Sequence, residues 1–170
     1  SEISKHACLA AATTATPRLV LLRPPWRGEP GDNWHEVADM AAAAEMIPAA
    51  GRRVFISVGT RSLKYFSELR STWFLVRLID SPADTLPLAQ FELILGRGPF
   101  DSVGEQKLLE QHSIDLLVTR ASGGAATKGK IDAARRLGLP VIMLRRPAPP
   151  LGESVETIDA ALEWLRHKAS

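Results

Sequence analysis

The stretch DLLVTRASGGAATKGKIDAARRLGLPVIML at residues 115–144 decides the fold, because it reads in order as strand, glycine loop, helix and strand. The apolar run 116–118 has the length of a buried parallel strand, and the Ser-Gly-Gly sequence at 122–124 allows a tight turn. Apolar residues then recur at helical spacing over 131–137, and Gly138 stands where a left-handed helix cap is favoured. The segment therefore predicts a βαβ unit whose glycine loop lies at the carboxyl end of a strand, where parallel sheets bind ligands.

Strand-like and helix-like segments alternate along the rest of the chain as well. Further strands are predicted at 18–22, 54–59, 72–79 and 91–96, and helices at 2–14, 36–47, 63–69, 103–111 and 155–167. Because parallel strands need crossover connections, this alternation predicts an α/β fold with a parallel Rossmann-like or flavodoxin-like sheet of about five strands and helices on both faces.

The composition excludes several classes of protein. The chain has 170 residues and a net charge of +2, from 21 Lys and Arg against 19 Asp and Glu, so it lacks an overall field that would hold nucleic acid. Its single cysteine excludes an internal disulfide and suits the reducing cytoplasm. No apolar run approaches the roughly 20 residues that cross a bilayer, so no membrane partner is expected. The histidines lie far apart without metal-ligand spacing, so no metal is predicted.

An arginine stands at or just after the end of five predicted strands. These residues are Arg23, Arg61, Arg97, Arg120 and Arg145. The carboxyl ends of parallel strands share one edge of a sheet, so the five side chains are expected to converge on one cleft that binds carboxylate or phosphate groups. The alternative is that each arginine follows a strand only because strands end in solvent.

Five blocks stand in the order VFISVGTRSLKYF at 54–66, WFLVRLIDSPADTLPL at 73–88, ELILGRGPFD at 92–101, LLVTRASGGAATKGKIDAARRLGLPVIMLRRP at 116–147 and the helix ending in ALEWL at 161–165. Together with residues 1–26, these blocks resemble the precorrin-6A reductase (cobalt-precorrin-6A reductase) family of cobalamin biosynthesis. The resemblance implies an oxidoreductase in which NADPH reduces a double bond of the precorrin-6A macrocycle to give precorrin-6B. The tetrapyrrole substrate is then precorrin-6A or its cobalt form.

The resemblance also implies how the domains are arranged. Members of the family begin with a strand and a Gly-Gly-Thr-x-Glu loop that holds NADPH, and this sequence contains no such segment. Residues 1–33 are therefore expected to be the end of a truncated N-terminal cofactor domain with its linker, and residues 34–170 a C-terminal α/β domain. The chain is expected to supply mainly the substrate-binding half, to be inactive alone and to partner the missing N-terminal domain of the same protein.

The acetate and propionate arms of such a substrate imply cationic and hydrogen-bonding residues around it. Catalytic roles, in positioning the substrate or polarising its conjugated ring, are assigned to Arg120 and Lys130, although either could bind a carboxylate only. Arg120 is expected to act electrostatically, because a guanidinium scarcely deprotonates. Cofactor contacts are assigned to Gly59 and Thr60. Substrate binding is assigned to Arg61, Arg97, Gly98, Ser122, Gly123, Gly124, Thr127 and Lys128.

A second interpretation stays open from the sequence. The chain could be a noncatalytic α/β metabolite-binding module for a polycarboxylate ligand, similar to the reductase but without a partner for hydride transfer. An upstream strand and Gly-Gly-Thr-x-Glu loop in the gene would favour the enzyme over this module.

Overall fold

The computed structural model describes residues 2–148 and 152–168, with side chains from residue 6 onward. In chain order its elements are α1 (Glu2–Thr13), β1 (Leu19–Leu21), β2 (Trp34–Val37), α2 (Met40–Ala50), β3 (Arg53–Ile56), β4 (Trp73–Leu78), β5 (Phe91–Leu95), α3 (Ser102–Gln111), β6 (Leu116–Arg120), α4 (Gly129–Leu137), β7 (Val141–Leu144), β8 (Glu153–Val155) and α5 (Ile158–Lys168), with 3₁₀ helices at Thr60–Phe66 and Ala125–Thr127. None of the described helices is long and apolar enough to span a membrane.

The larger of two compact units spans Pro25–Arg146 and is built on a six-stranded sheet. Its strand order is β2-β7-β6-β3-β4-β5, and every neighbouring pair is parallel. The central strands β3 and β6 carry continuous apolar runs that are fully buried, as strands covered on both faces require. The predicted α/β fold with a parallel sheet is therefore confirmed.

Alternate residues of each central strand face two separate cores. Val54 and Ile56 pack in one core with α2 and the first 3₁₀ helix, whereas Phe55 packs in the other with α3 and α4. Because successive side chains of a strand point to opposite faces, three consecutive buried residues need helices on both sides. The helices thus cover the faces of the sheet, and the loops at the strand ends are left to form a site.

The helix predicted over 36–47 begins later than its alanine-rich pattern indicated. Residues Trp34–Val37 form the edge strand β2, which pairs with β7. The helix α2 starts after Asp39, whose Oδ1 accepts a hydrogen bond of 2.9 Å from the Ala42 N–H. Asp is a favoured N-cap residue, so it fixes the start of the helix and leaves the preceding residues free to add a sixth strand.

The smaller unit combines the residues up to Pro24 with those from Pro147 onward. Its strands β1 and β8 pair in parallel, and α5 contacts both. The helix predicted over 155–167 begins later, at Ile158, because Val155 ends β8, which gives β1 a partner for its backbone hydrogen bonds. These boundaries differ from the predicted ranges 1–33 and 34–170, since residues from Pro25 fold with the larger unit and the C-terminal residues fold with β1.

Candidate functional site

A cleft of about 630 Å³ lies at the carboxyl ends of β3, β4, β5 and β6. Loops that follow these strands supply its walls, and α4 supplies Lys130. The volume falls within the roughly 300–1,000 Å³ of small-molecule sites. The location is the edge at which parallel sheets bind ligands, so this cleft is the candidate site.

The glycine loop after β6 is held from two sides. Gly123 and Gly124 have φ angles of 64° and 86°, which residues with a Cβ atom rarely adopt. Trp26 donates a hydrogen bond of 3.2 Å from Nε1 to the Gly124 carbonyl oxygen. On the other side, the Phe100 N–H donates to the Ala126 carbonyl oxygen at 3.2 Å. The loop is therefore fixed between the segment that contains Trp26 and the loop after β5.

Arg120 ends β6 and lines the cleft. Its Nη2 donates a hydrogen bond of 2.8 Å to Oγ of Ser62, which is buried in the 3₁₀ helix after β3. No carboxylate in the described ranges forms an ion pair with Arg120. An arginine has five N–H donors, so a guanidinium held by one of them can still present others to an anionic ligand.

Lys130 stands in the first turn of α4 and is only 6% exposed, yet it lines the cleft. Its Nζ lies 5.8 Å from the centre of the Trp26 ring. Burial lowers the pKa of Lys130 to about 8, against the opposing effect of Glu105 and with a further lowering by Arg77. The side chain is thus a buried amine that can gain or lose a proton near neutral pH.

A buried ion pair that the sequence did not reveal lies beside Lys130. Arg77 donates to both carboxylate oxygens of Glu105, from Nη2 at 2.7 Å and from Nη1 at 2.9 Å, and the two side chains are 11% and 4% exposed. The guanidinium carbon also lies 4.1 Å from the centre of the Phe100 ring. The sequence signal that could have revealed this pair is Arg77, the single charge inside the apolar run WFLVRLI, since a charge within a buried strand needs a partner.

Seven of the predicted site residues line the cleft, namely Gly59, Thr60, Gly98, Arg120, Ser122, Thr127 and Lys130. They come from three separate segments of the chain, at 59–60, 98 and 120–130, which the parallel sheet brings to one edge. Ser57 and Thr119, which were not predicted, add hydroxyl groups 3.3 Å apart to the lining.

The remaining predicted residues do not line this cleft. Arg61 lines a neighbouring depression of about 420 Å³. The Arg97 side chain is 74% exposed, with its Nη2 at 3.8 Å from Oδ1 of Asp80. Lys128 points its Nζ towards Asp132 Oδ1 at 3.4 Å. Gly123 and Gly124 shape the loop without lining the cleft.

The expectation that five arginines converge on one cleft is wrong, because Arg120 is the one member of the set that lines the cleft among the residues that the structure describes. Arg23 belongs to the smaller unit, whose two-stranded sheet is separate from the six-stranded one. Arg145 follows β7, where its N–H donates to the Val37 carbonyl oxygen at 2.9 Å, and it does not line the cleft.

The chemistry of the cleft suits an anionic organic ligand. Arg77 is neutralised by Glu105, so Arg120 and Lys130 are the lining cations that no carboxylate pairs with in the part of the chain that the structure describes. Hydroxyl groups and backbone groups of the strand-end loops provide further hydrogen bonds. Among residues 2–148 and 152–168, no group of three or more His, Cys, Asp or Glu side chains is placed to hold a metal ion.

Comparison with known proteins identifies the family. The family model described as "CbiJ: Precorrin-6x reductase CbiJ/CobK" matches residues 1–166. Precorrin-6A reductase of Rhodococcus erythropolis is 43% identical over 166 residues, which are 97% of this chain and 66% of that protein. Precorrin-6A reductase of Rhodobacter capsulatus is 38% identical over 165 residues, again 97% of this chain and 66% of that protein. Cobalt-precorrin-6A reductase of Priestia megaterium is 30% identical over 175 residues.

A solved structure described as "CobK precorrin-6A reductase" matches with a TM-score of 0.92 and 38% sequence identity, over 97% of this chain and 68% of that chain. The chain spans 66% of the length of the Rhodococcus and Rhodobacter relatives, just under two thirds. By sequence and by structure, the chain belongs to the precorrin-6x reductase family.

Proposed function

We propose that the protein encoded by this gene is a cytoplasmic enzyme that uses NADPH to reduce a double bond in the macrocycle of precorrin-6A, or of its cobalt form, and so gives precorrin-6B in cobalamin biosynthesis. The observation that carries the proposal is the cleft in which Arg120 and Lys130 stand without a carboxylate partner among the described residues. The similarity to precorrin-6A reductases supports this substrate. Residues 1–170 supply mainly the substrate-binding half.

The substrate is proposed to enter the cleft with its carboxylate arms towards the cations. Arg120 binds one carboxylate with the guanidinium N–H groups that Ser62 leaves available. Ser122, Thr127 and the backbone around Gly98 donate hydrogen bonds to further arms. Arg61, in the neighbouring depression, and the exposed Arg97 receive arms that extend beyond the cleft. Lys130 faces the ring and polarises it.

The residues of this chain fit the nicotinamide end of a cofactor better than its phosphates. Gly59 and Thr60 form one wall, close to the hydroxyl groups of Ser57 and Thr119. The element after β3 is a 3₁₀ helix, without the long helix whose N-terminus usually holds a pyrophosphate. NADPH, when bound, supplies the hydride. The chain orients the ring that receives it and restricts the access of water.

The test is nicotinamide oxidation by the protein as its gene encodes it. Purified protein is mixed with precorrin-6A and NADPH, and the nicotinamide absorbance is followed with and without the tetrapyrrole. Oxidation that depends on precorrin-6A, together with tetrapyrrole binding by residues 1–170 alone, is expected. Tight tetrapyrrole binding without any oxidation would identify a noncatalytic binding module and contradict the proposal.

A further inference from the structure

Lys130 combines burial with access to the candidate site. The residue is only 6% exposed, and it lines the cleft together with Phe100, Thr127 and Arg77. Within the described residues, its Nζ forms no hydrogen bond or ion pair, and it meets solvent in the cleft, because no fully buried side-chain nitrogen or oxygen there lacks a partner. A buried lysine that binds no group of its own protein has its N–H groups available to whatever occupies the cleft.

The neighbours of Lys130 explain why it has no carboxylate partner. Glu105, on α3, is the acidic group that acts on Lys130, but both of its carboxylate oxygens accept hydrogen bonds from Arg77 of β4. Asp132, on the same helix as Lys130, pairs with Lys128 and with Arg135. Trp26 lies next to the amine with the face of its ring, which has no carboxylate to pair with it. The surroundings therefore hold the amine in place without taking its protons.

We propose that Lys130 is the proton donor of the reduction, an inference that rests on the proposed function. One atom of the macrocycle double bond receives the hydride from the nicotinamide. The electron pair released onto the conjugated system then takes a proton from the Lys130 ammonium group, so that the double bond is reduced and NADP⁺ is formed. Lys130 is left as a neutral amine and regains a proton from solvent.

Other groups of the cleft are less suited to this step. The Arg120 guanidinium scarcely gives up a proton, so its contribution is electrostatic. The Asp80 side chain is 84% exposed and lies near Arg97, where water competes for contact with a ligand. Hydroxyl groups such as that of Thr127 are far weaker acids than an ammonium group. The lowered pKa of Lys130, about 8, supports its role, because a donor titrating near the working pH can both release and recover its proton.

The experiment compares the gene-encoded wild type with Lys130→Ala and Lys130→Arg, and with Lys107→Ala as the matched control on the exposed surface of α3. Initial rates of NADPH oxidation with precorrin-6A are measured from pH 6 to pH 10, with and without added ethylammonium. In the wild type, kcat is expected to fall above pH 8, as the acid form of Lys130 disappears. Lys130→Ala is expected to lower kcat roughly 10²- to 10⁴-fold, the range of general acid catalysis, and Lys107→Ala to leave it unchanged.

Ethylammonium is expected to restore the rate of Lys130→Ala in proportion to its protonated fraction. Lys130→Arg, which keeps the charge, is expected to stay slow and to lose the fall in kcat above pH 8. Failure of the wild type to oxidise NADPH with precorrin-6A would overturn the proposed function itself. An active wild type with Lys130→Arg within threefold of its rate would overturn only the proton-donor assignment, as would a slow Lys130→Ala that ethylammonium does not restore.

Discussion

The burial of the Lys130 ammonium group destabilises the folded protein, although the residue lines the candidate site. Its amine is buried, and burial lowers its pKa from 10.5 to about 8, with Glu105 opposing and Arg77 adding to this change. The unfolded chain therefore binds this proton more tightly than the folded chain does. Proton linkage then requires that burial of the charged amine lowers the unfolding free energy by its full amount below pH 8. As the pH rises from about 8 to 10.5, this cost decreases and the protein becomes more stable.

Lys130→Met is expected to stabilise the protein at pH 7. The gain is on the order of 3 kcal/mol, because each unit of pKa corresponds to about 1.4 kcal/mol. It should shrink as the pH rises through 8 and approach zero only above pH 10.5, where the wild-type amine is mostly neutral in both states. Urea unfolding at pH 7 and at pH 10 measures it, with Lys107→Met as the control. A difference in unfolding free energy that does not change with pH would contradict the buried charge.

Arg120→Ala is expected to weaken precorrin-6A binding by about 1.5 to 3 kcal/mol, the range of a charged hydrogen bond. Stability should change little, since the guanidinium makes one hydrogen bond to Ser62 at the sheet edge. Arg97→Ala should weaken binding by less than about 1 kcal/mol, because its side chain lies in solvent. Titration calorimetry compares the two variants. Equal losses would place the carboxylate contacts outside the cleft.

The elements of the larger unit differ in how far the sequence predicts them. The apolar runs of β3, β4 and β6 predict buried parallel strands, because they are short and rich in β-branched or aromatic residues. The strand β2 was missed, since Trp-His-Glu-Val carries two exposed polar residues and becomes a strand only through its pairing with β7. Pairing across the chain is not visible in local sequence.

Gly129→Ala tests the packing of α4 on the loop after β5. A Cβ atom at Gly129 would overlap the Phe100 carbonyl oxygen, a backbone atom that cannot rotate away. We expect a loss of about 1 to 3 kcal/mol in unfolding free energy, as for overpacked cores. Gly59→Ala is the matched control and should be close to neutral, since a Cβ atom there would meet nothing within 4 Å and its φ is −66°. A neutral Gly129→Ala in thermal unfolding would contradict the close approach.

Asp32→Asn tests the attachment of the Trp26 segment to α4. The Asp32 carboxylate, 4% exposed, accepts hydrogen bonds from Arg135 Nε at 2.8 Å and Nη2 at 3.1 Å. Burial raises its pKa, but the hydrogen bonds from Arg135 and the Glu29 N–H outweigh burial and hold the pKa below 3.8. The substitution should cost about 2 kcal/mol at pH 7.

A carboxyl with a lowered pKa contributes stability above its unfolded pKa and loses it as the pH falls through the folded one. The difference between Asp32→Asn and the wild type should therefore shrink below pH 3.8. Urea unfolding at pH 7 and at pH 3 measures this change. A constant difference would show that the carboxylate charge plays no part.

At the scale of the whole molecule, the sheet topology predicts which segments meet at the site. Local ion pairs decide which side chains of those segments point into it, and these pairs are not visible in the sequence. Parallel strands share an edge, so residues from separate segments could be expected to meet, and Thr60, Gly98 and Arg120 do line one cleft. Side-chain direction is set by neighbours that a pattern does not show, as Lys128 turning towards Asp132 illustrates. The pairing of β1 with β8 likewise joins distant parts of the chain.

The central claim, that the protein reduces a tetrapyrrole with a nicotinamide hydride, is tested most directly by following the hydrogen itself. The gene-encoded protein is supplied with precorrin-6A and NADPH carrying deuterium at the transferred position of the nicotinamide, and the tetrapyrrole is analysed by mass spectrometry. The account predicts a product that has gained one deuterium from the cofactor and one hydrogen from the solvent. A tetrapyrrole recovered unchanged from folded, ligand-bound protein would contradict it.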